Sequence, residues 1–536
     1  MILRKTIPLL MFLFVCFSVY CEEDWDETDK TTPEKEFILN DILQNDKYGE
    51  DSIFIINSFN YNVIGRTLPF VLNNKTELKK GEEITGKTNL IKFIKNKGQL
   101  LTNERVLKDN VRIEYTIGEA TEDGKYPVNM EIYVEDTWNI IALPYPKFDS
   151  NYGLNITIKA RDYNFFGTMQ ALRVDLGYKY DQYGRNFFSL MVDSGLPFQV
   201  FGLNFLFDFD NYFDYRPDMD QPYYFKNITG ISLDIPIKHT TLTLLFAESF
   251  ILNEENSDSD KPINGEFQEG LYLSSKPSIT WKIPTGLEIG EYGELTYTPN
   301  VYAVFNHELQ PWPLDKNRIG PILYFNHTLS FGRINWIDNF REGVNVQVKN
   351  SNNFNFYYQK EPSIDKNPLS YDYSIETKAF FIFIKDILGF STRLSYRHWI
   401  NSYYEYPGDV LRGVGDVLHD VHDNTVNAEL MLSLNLDIHI RALKINAYDW
   451  FPNNKFLRSL GFDLHINPVI DGAFYKQPSK DVSFDPENFL LGAGFETIIY
   501  PHQFRSLFFR ISLCWNFSDI SKGTPWELFL GMEHHY

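Results

Sequence analysis

Residues 171–181 read ALRVDLGYKYD. Taken alternately, they separate into Leu172, Val174, Leu176, Tyr178 and Tyr180 against Arg173, Asp175, Gly177, Lys179 and Asp181. Successive side chains of a β-strand point to opposite sides, so this is a strand with one apolar and one charged face. Strands of soluble proteins average ~5–6 residues. A strand that crosses a bilayer at a tilt needs ~9–11. The length and the clean separation of faces point to a strand with lipid on one side and water on the other.

The same alternation recurs along the chain. In 430–441, Leu432, Leu434, Leu436, Ile438 and Ile440 alternate with Ser433, Asn435, Asp437, His439 and Arg441. In 506–517, Phe509, Ile511, Leu513, Trp515 and Phe517 alternate with Arg510, Ser512, Cys514 and Asn516. The composition agrees: 16% of residues are aromatic, with 45 Phe and 33 Tyr, yet the mean hydropathy is only −0.30. A barrel averages out this way because half its strand residues face lipid and half a wet lumen. A large secreted all-β protein shares part of this composition and is the plain alternative. No internal run of ~20 apolar residues exists, which excludes helical spanning.

From about residue 138 onward, strand follows strand. Some connectors are tight, among them SGLP, PIKHT and KDILG, whereas 210–221, 254–266, 306–317, 360–371 and 403–424 are long and polar. Short turns at one end and long loops at the other are the habit of outer-membrane barrels. The expected fold is mainly β, a transmembrane antiparallel barrel of about 16 strands and up to 18, the first strand and the region 341–386 being ambiguous.

The N-terminus carries Arg4 and Lys5, an apolar core from Ile7 to about Phe17, and small residues Val19 and Cys21 before a cleavage point. Residues 1–21 read as a secretory signal peptide, too short to be an anchor. Bulky Tyr20 makes a lipoprotein signal the lesser reading. Cleavage would remove two bases and no acid, taking the net charge from −21 to −23. It would leave Cys514 as the one cysteine, hence no intrachain disulfide. So acidic a chain excludes a nucleic-acid partner. Residues 22–51 are acidic and poor in apolar residues, and read as a flexible tail within which 37–43 forms a short helix or docking segment.

Residues 52–137 have a different pattern from the strand-rich remainder. The order strand, helix, helix, strand, strand is expected, a compact α+β module. Pro69 stands near the start of the first helix. Leu90, Phe93 and Ile94 lie at helical spacing in the second, with Gly98 weakening its later part. TEDG at 121–124 forms a hairpin turn.

Three constellations stand out. In ARDYNFFGTMQ, Asp162, Asn164, Phe166 and Gly167 mark a turn between barrel strands, where Asn and Gly supply the permissive backbone and the aromatics anchor at the membrane interface. DVLRGVGDV places Arg412, Gly413 and Gly415 inside the long loop 403–424. In a solvated loop Arg412 is a surface charge. Folded into a narrow lumen, it needs carboxylate partners, and Glu429 and Asp471 on later strands are the inward-facing candidates. FLGMEHHY closes the chain with Gly531 and the terminal aromatic Tyr536, a strand end suited to recognition by an insertion machine.

At these residues a family resemblance emerges. The α+β module resembles a single POTRA domain, and the barrel resembles the BamA/TamA/FhaC superfamily of outer-membrane assembly and secretion proteins. DYNFFGT is similar to that family's Asp-x-Asn-aromatic-x-Gly-Thr turn. LRGVG is similar to its Val-Arg-Gly-aromatic loop, with Leu411 and Val414 as departures. VIDGA keeps only Asp471 of Phe-x-Asp-x-Gly. FLGMEHHY keeps Gly531 and Tyr536, while His534 replaces an apolar residue and Phe529 a polar one. The resemblance implies that Arg412 sits in the lumen against Asp471. It also implies a weak lateral seam between the first and last strands, and capture of clients by strand addition to the module.

The function expected is insertion or translocation of other proteins at the bacterial outer membrane without ATP, with the module in the periplasm. The partners expected are the bilayer, unfolded or exported clients, and periplasmic accessory proteins. A passive pore and a lipid-delivery barrel are the alternatives. An enzyme would need a Ser/His or Asp/His group, and neither a hydrolase elbow, a phosphate loop nor a zinc helix is legible. No cofactor or metal is expected. HDVHD at 419–423 reads as solvated loop, and Asp208, Asp210, Asp214, Asp218 and Asp220 as an acidic external loop lacking calcium-loop spacing.

Overall fold

The computed structural model describes residues 48–149, 153–180, 184–218, 222–253, 271–288, 293–308, 321–360, 367–405, 410–414, 427–447, 461–478, 488–518 and 526–531. The expected signal peptide, most of the acidic tail, Asp220, Gly415, the HDVHD segment and Tyr536 lie outside the described residues.

The chain first builds a small α+β module. Its elements are β1 (Ile53–Ile64), α1 (Pro69–Thr76), β2 (Glu83–Thr85), α2 (Lys87–Thr102), β3 (Arg112–Ile117) and β4 (Lys125–Glu135). The sheet order is β2-β1-β4-β3, with β1 and β4 parallel and the other pairs antiparallel. Short β2 is an element that periodicity did not reveal, because three residues are too few to alternate. Pro69 opens α1 at its first turn, where its missing N–H costs nothing. α2 runs straight through Gly98, since Leu90, Ile94 and Leu101 on one face are fully buried against Phe54, Ile56, Met130 and Ile132 of the sheet. Burial of that face outweighs the ~1 kcal/mol that a glycine costs inside a helix.

The remaining strands close into a barrel. They are β5 (Ile140–Asp149), β6 (Gly153–Asp162), β7 (Leu172–Tyr180), β8 (Asn186–Val200), β9 (Leu203–Tyr215), β10 (Tyr223–Ile237), β11 (Thr240–Leu252), β12 (Leu271–Glu288), β13 (Glu294–Glu308), β14 (Ile322–Ile337), β15 (Phe340–Asn355), β16 (Leu369–Ile384) and β17 (Leu388–Ile400). After the two-residue strands β18 (Tyr404–Glu405) and β19 (Asn427–Ala428) come β20 (Leu430–Ile445), β21 (Phe462–Lys476), β22 (Phe489–Pro501), β23 (Phe509–Asn516) and β24 (Trp526–Gly531). Eighteen of them form one closed ring, with β18 and β19 paired apart from it. The ring reaches the upper end of the 16 to 18 strands read from sequence. The doubtful region resolves into full strands β15 and β16, because Asn345, Gln347, Lys349, Ser351 and Asn353 of β15 share one face, and a polar face is allowed where the lumen is wet.

The register assigns the two faces of the opening stretch. Asp175 of β7 pairs with Lys159 and Met191, while Leu176 pairs with Ile158 and Leu190. Ile158, Leu176 and Leu190 are all exposed on the outer surface, as are Ile231, Leu244, Phe246, Ile279, Val301, Phe325, Ile375, Leu394, Leu434 and Ile470 around the ring. A continuous apolar band on a closed barrel is a lipid-facing surface. No helix among the described residues is long and apolar enough to cross a membrane.

Two connector readings are corrected. SGLP is not a turn: β8 runs through it, and the reversal falls at Phe201–Gly202, both at positive φ (51° and 77°). That geometry suits a two-residue hairpin, whose twist follows that of the strands. The connector read as 210–221 is shorter, because β9 continues to Tyr215 and carries Asp208, Asp210 and Asp214 on its lumenal face. Those aspartates therefore belong to the wall rather than to an external loop.

The module lies against the short-turn end of the barrel. Asn204 of β9 donates to Asn74 at 3.2 Å, and Lys282 of β12 pairs with Glu77 at 3.3 Å. Asn103 at the end of α2 exchanges bonds with Asn335 (3.0 Å) and the Trp336 amide (2.9 Å) of β14. Arg105 stacks 4.3 Å over the Trp336 ring, and Ser506 in the β22–β23 turn donates to the Arg105 carbonyl at 2.9 Å. These contacts are spread around the ring, so the module spans the barrel mouth rather than hanging from one edge.

Candidate functional site

Between β18 and β19 the chain enters the lumen, and residues 410–414 form a seated loop tip. Leu411 and Val414 are buried among Trp399, Ala428, Met431, Ala473, Tyr475 and Leu490, an apolar cluster on the inner wall. That burial accounts for the apolar residues on either side of the Arg-Gly pair. Arg412 is 5% exposed. Its amide and Nε donate to Asp471 Oδ2 at 2.8 and 2.9 Å, and its Nη2 to Asp471 Oδ1 at 2.7 Å. The same Nη2 bonds Asp437 Oδ1, and Nη1 lies 3.7 Å from Glu496 Oε2. Glu496 also accepts from Arg510 Nη1 at 3.2 Å.

The strands position these acids by register. Asp437 (β20), Asp471 (β21) and Glu496 (β22) all occupy lumen-facing places, through the pairs Asn435↔Asp471, Asp471↔Gly492 and Asn467↔Glu496. Glycine makes room beneath the loop. A Cβ on Gly492 would lie 2.0 Å from the Arg412 carbonyl oxygen. Gly413 has φ +81°, and a Cβ there would lie 2.8 Å from Cβ of Cys514 on β23. Its amide donates at 2.9 Å to Glu527 Oε2 on β24. The tip thus reaches across five consecutive strands to the last one in the ring. Two buried guanidinium groups among three carboxylates hold it, in a geometry where breaking any one pair leaves an uncompensated charge.

Of the carboxylates named from sequence, Asp471 meets Arg412 and Glu429 does not. Glu429 pairs with Lys476 at 3.1 Å. Asp437 and Glu496 were missed as partners, although alternation had already put Asp437 on the polar face of its strand. Glu527 was missed as well. Gly531 ends β24 opposite Arg510.

The Asp162–Gly167 turn forms a second centre, and it faces the module. Arg66 grips Asp162 with two bonds of 2.9 and 3.2 Å. Asn164 Nδ2 donates to Thr67 Oγ1 (2.7 Å) and Asp136 Oδ2 (3.0 Å), while its Oδ1 accepts from the Met169 amide at 2.9 Å. The Leu68 amide donates to the Gly167 carbonyl at 2.9 Å, and a Cβ on Gly167 would lie 1.9 Å from the Arg66 carbonyl oxygen. Asn164 and Gly167 therefore do more than permit a turn: they seat the module on the barrel. Phe166 stands outward, 69% exposed.

Deeper in the wall, Ser391 Oγ lies 2.8 Å from His439 Nε2 and 3.3 Å from Asp437 Oδ2, but Ser391 is fully buried. A hydroxyl closed off in this way presents no face to a substrate, so the group is a wall hydrogen bond rather than a nucleophile. Among the described residues, no set of three His, Cys, Asp or Glu is grouped to hold a metal ion.

No protein-family model matches the chain, and no curated protein matches it in sequence. Solved structures do align with it. CdiB from Acinetobacter baumannii aligns at TM-score 0.48 and 10% identity, over 89% of this chain and 73% of that one. CdiB from Escherichia coli aligns at TM-score 0.39 and 8% identity, over 99% and 96%. BamA from Haemophilus ducreyi lacking POTRA domains 1–3 aligns at TM-score 0.33 and 11% identity, over 89% and 83%.

Proposed function

We propose that this chain is an outer-membrane barrel that inserts or translocates other proteins, working without ATP and with its α+β module in the periplasm. The observation that carries the reading is the loop tip Leu411–Val414 seated in the lumen and clasped through Arg412 by Asp437, Asp471 and Glu496. A loop clasped to the wall by a buried ion cluster is more than a simple diffusion pore requires and is suited to a wall that opens and recloses. The order of the four motifs along the chain supports the same reading through its resemblance to the assembly and secretion superfamily. The module would receive extended client segments at the open edges of its sheet, β2 and β3, by strand addition. The seam between β24 and β5, where the first and last strands of the ring meet, would be the point at which the wall opens, as the resemblance implies.

The test is depletion of the protein in its host followed by quantitative proteomics of the outer membrane. A joint fall of many barrels identifies a general assembly factor, and loss of one exported protein identifies a dedicated transporter. An unchanged outer-membrane proteome sinks the reading in favour of a passive pore or lipid delivery.

A further inference from the structure

We infer that Glu527 is a positioning residue that ties the loop tip to the last strand, so that the loop and β24 seat and unseat as one unit. The inference rests on the client-handling reading above and adds to it a link between lock and seam. β24, described over Trp526–Gly531, is the last strand of the ring. Its outward side chains Trp526, Leu528 and Leu530 are exposed to lipid and hold nothing inside. Its inward side chains are Glu527, Phe529 and the bare Gly531. One of these touches the loop, and a second touches the ion cluster that holds it. Glu527 accepts directly from the Gly413 amide at 2.9 Å. Phe529 lies 4.3 Å beneath the Arg510 guanidinium, which bonds Glu496, which in turn faces Arg412. Consecutive amides of the tip thus serve two different strands: that of Arg412 goes to Asp471 on β21, and that of Gly413 to Glu527 on β24. Gly413 has a positive φ, a conformation an L-residue would resist, so the chain turns away just after the amide that Glu527 holds.

The chain carries its own reporter of this unit. Cys514 is paired in register with Glu527, is 1% exposed, and lies directly under Gly413. Its thiol becomes reachable when the tip lifts. The experiment treats full-length protein in native outer membranes with iodoacetamide and follows alkylation of the Cys514 peptide by mass spectrometry. The variants are Glu527→Ala, Glu527→Gln, Arg412→Ala and the Arg412→Ala/Glu527→Ala double. Loss of a hydrogen bond to a charged acceptor should speed alkylation about tenfold in Glu527→Ala. Glu527→Gln should stay near the wild type, because an amide oxygen still accepts. The double should react no faster than Arg412→Ala, as two parts of one device do. Wild-type alkylation in Glu527→Ala, or additive effects in the double, overturns the inference. If Glu527→Ala is not recovered folded, hydrogen exchange on the wild type decides: segments 411–414 and 526–531 should open at one common rate, and independent opening overturns the link. Client insertion is measured alongside. Faster alkylation with unchanged insertion leaves the coupling standing and removes the functional reading.

Discussion

At the scale of single residues, charge burial and missing side chains dominate. Arg412 faces Asp471, Asp437 and Glu496 together, with Arg510 on the far side of Glu496, and breaking a buried pair from one side costs about 3–5 kcal/mol. Arg412→Ala should therefore unseat the tip, and proteinase K, which cuts after apolar residues such as Leu411 and Val414, should cut residues 410–414 in folded barrels that resist it when unmodified. Arg412→Lys should not restore resistance, since an ammonium cannot span both Asp471 oxygens while also reaching Asp437. Equal protease resistance in all three proteins would refute this account of the loop. Gly167 is the other sensitive position. It has φ +73°, and any Cβ would meet the Arg66 carbonyl. Gly167→Ala should loosen the module by about 2 kcal/mol or more, read as faster hydrogen exchange of the Leu68 amide.

At the scale of elements, the end of α2 carries a share of the module's attachment. It lies against β14, where Asn103 serves both Asn335 and Trp336, and Arg105 lies on the indole ring. A cation on Trp is worth about 0.5–2 kcal/mol, and each hydrogen bond about 1. Asn103→Ala with Trp336→Ala should free the α2 end while the barrel remains folded. Cysteines at Asn74 and Asn204 joined by a short bis-maleimide measure this: efficient cross-linking in the parent and a clear loss in the double variant is the expected pair of results. Undiminished cross-linking would mean that the α2 end is dispensable and that the other contacts, the Asp162–Gly167 turn among them, hold the module.

At the scale of the whole molecule, alternation sorts residues between lipid and lumen. Leu176 faces lipid and its neighbour Lys179 faces the lumen. Leu176→Arg should cost about 2–4 kcal/mol near the midplane, whereas Lys179→Ala should cost close to nothing. Urea titration of folding into lipid vesicles compares the two. Equal effects would invalidate the assignment of faces. The eighteen strands stand at the upper end of the range read from sequence, and β15 shows why that region was ambiguous. The run Asn350 to Asn353 in β15 interrupts the apolar alternation, yet lumenal polar groups such as the Ser351 hydroxyl and the Asn326 amide oxygen bond across strands and keep the wall regular.

Local periodicity alone determined a great deal of this protein. Side chains that alternate over ten residues can satisfy themselves only between lipid and water, so the barrel was legible in 171–181 and the module in the helical spacing of Leu90 and Ile94. Apolar burial overrode the breaker Gly98, and SGLP was absorbed into β8, because neither signal counts for much once a longer element is packed. Chain order could not reveal which acids gather around Arg412. Glu429 lay nearer in sequence than Asp471 or Glu496, but strand register, not sequence distance, decides which side chains meet across a barrel. Only the register of β20 to β24 and the fold of the loop back onto them brought five strands beneath one tip, and only docking of the module gave Asn164 and Gly167 their partners. Those contacts join residues far apart in the chain, where sequence period carries no information and tertiary geometry carries all of it.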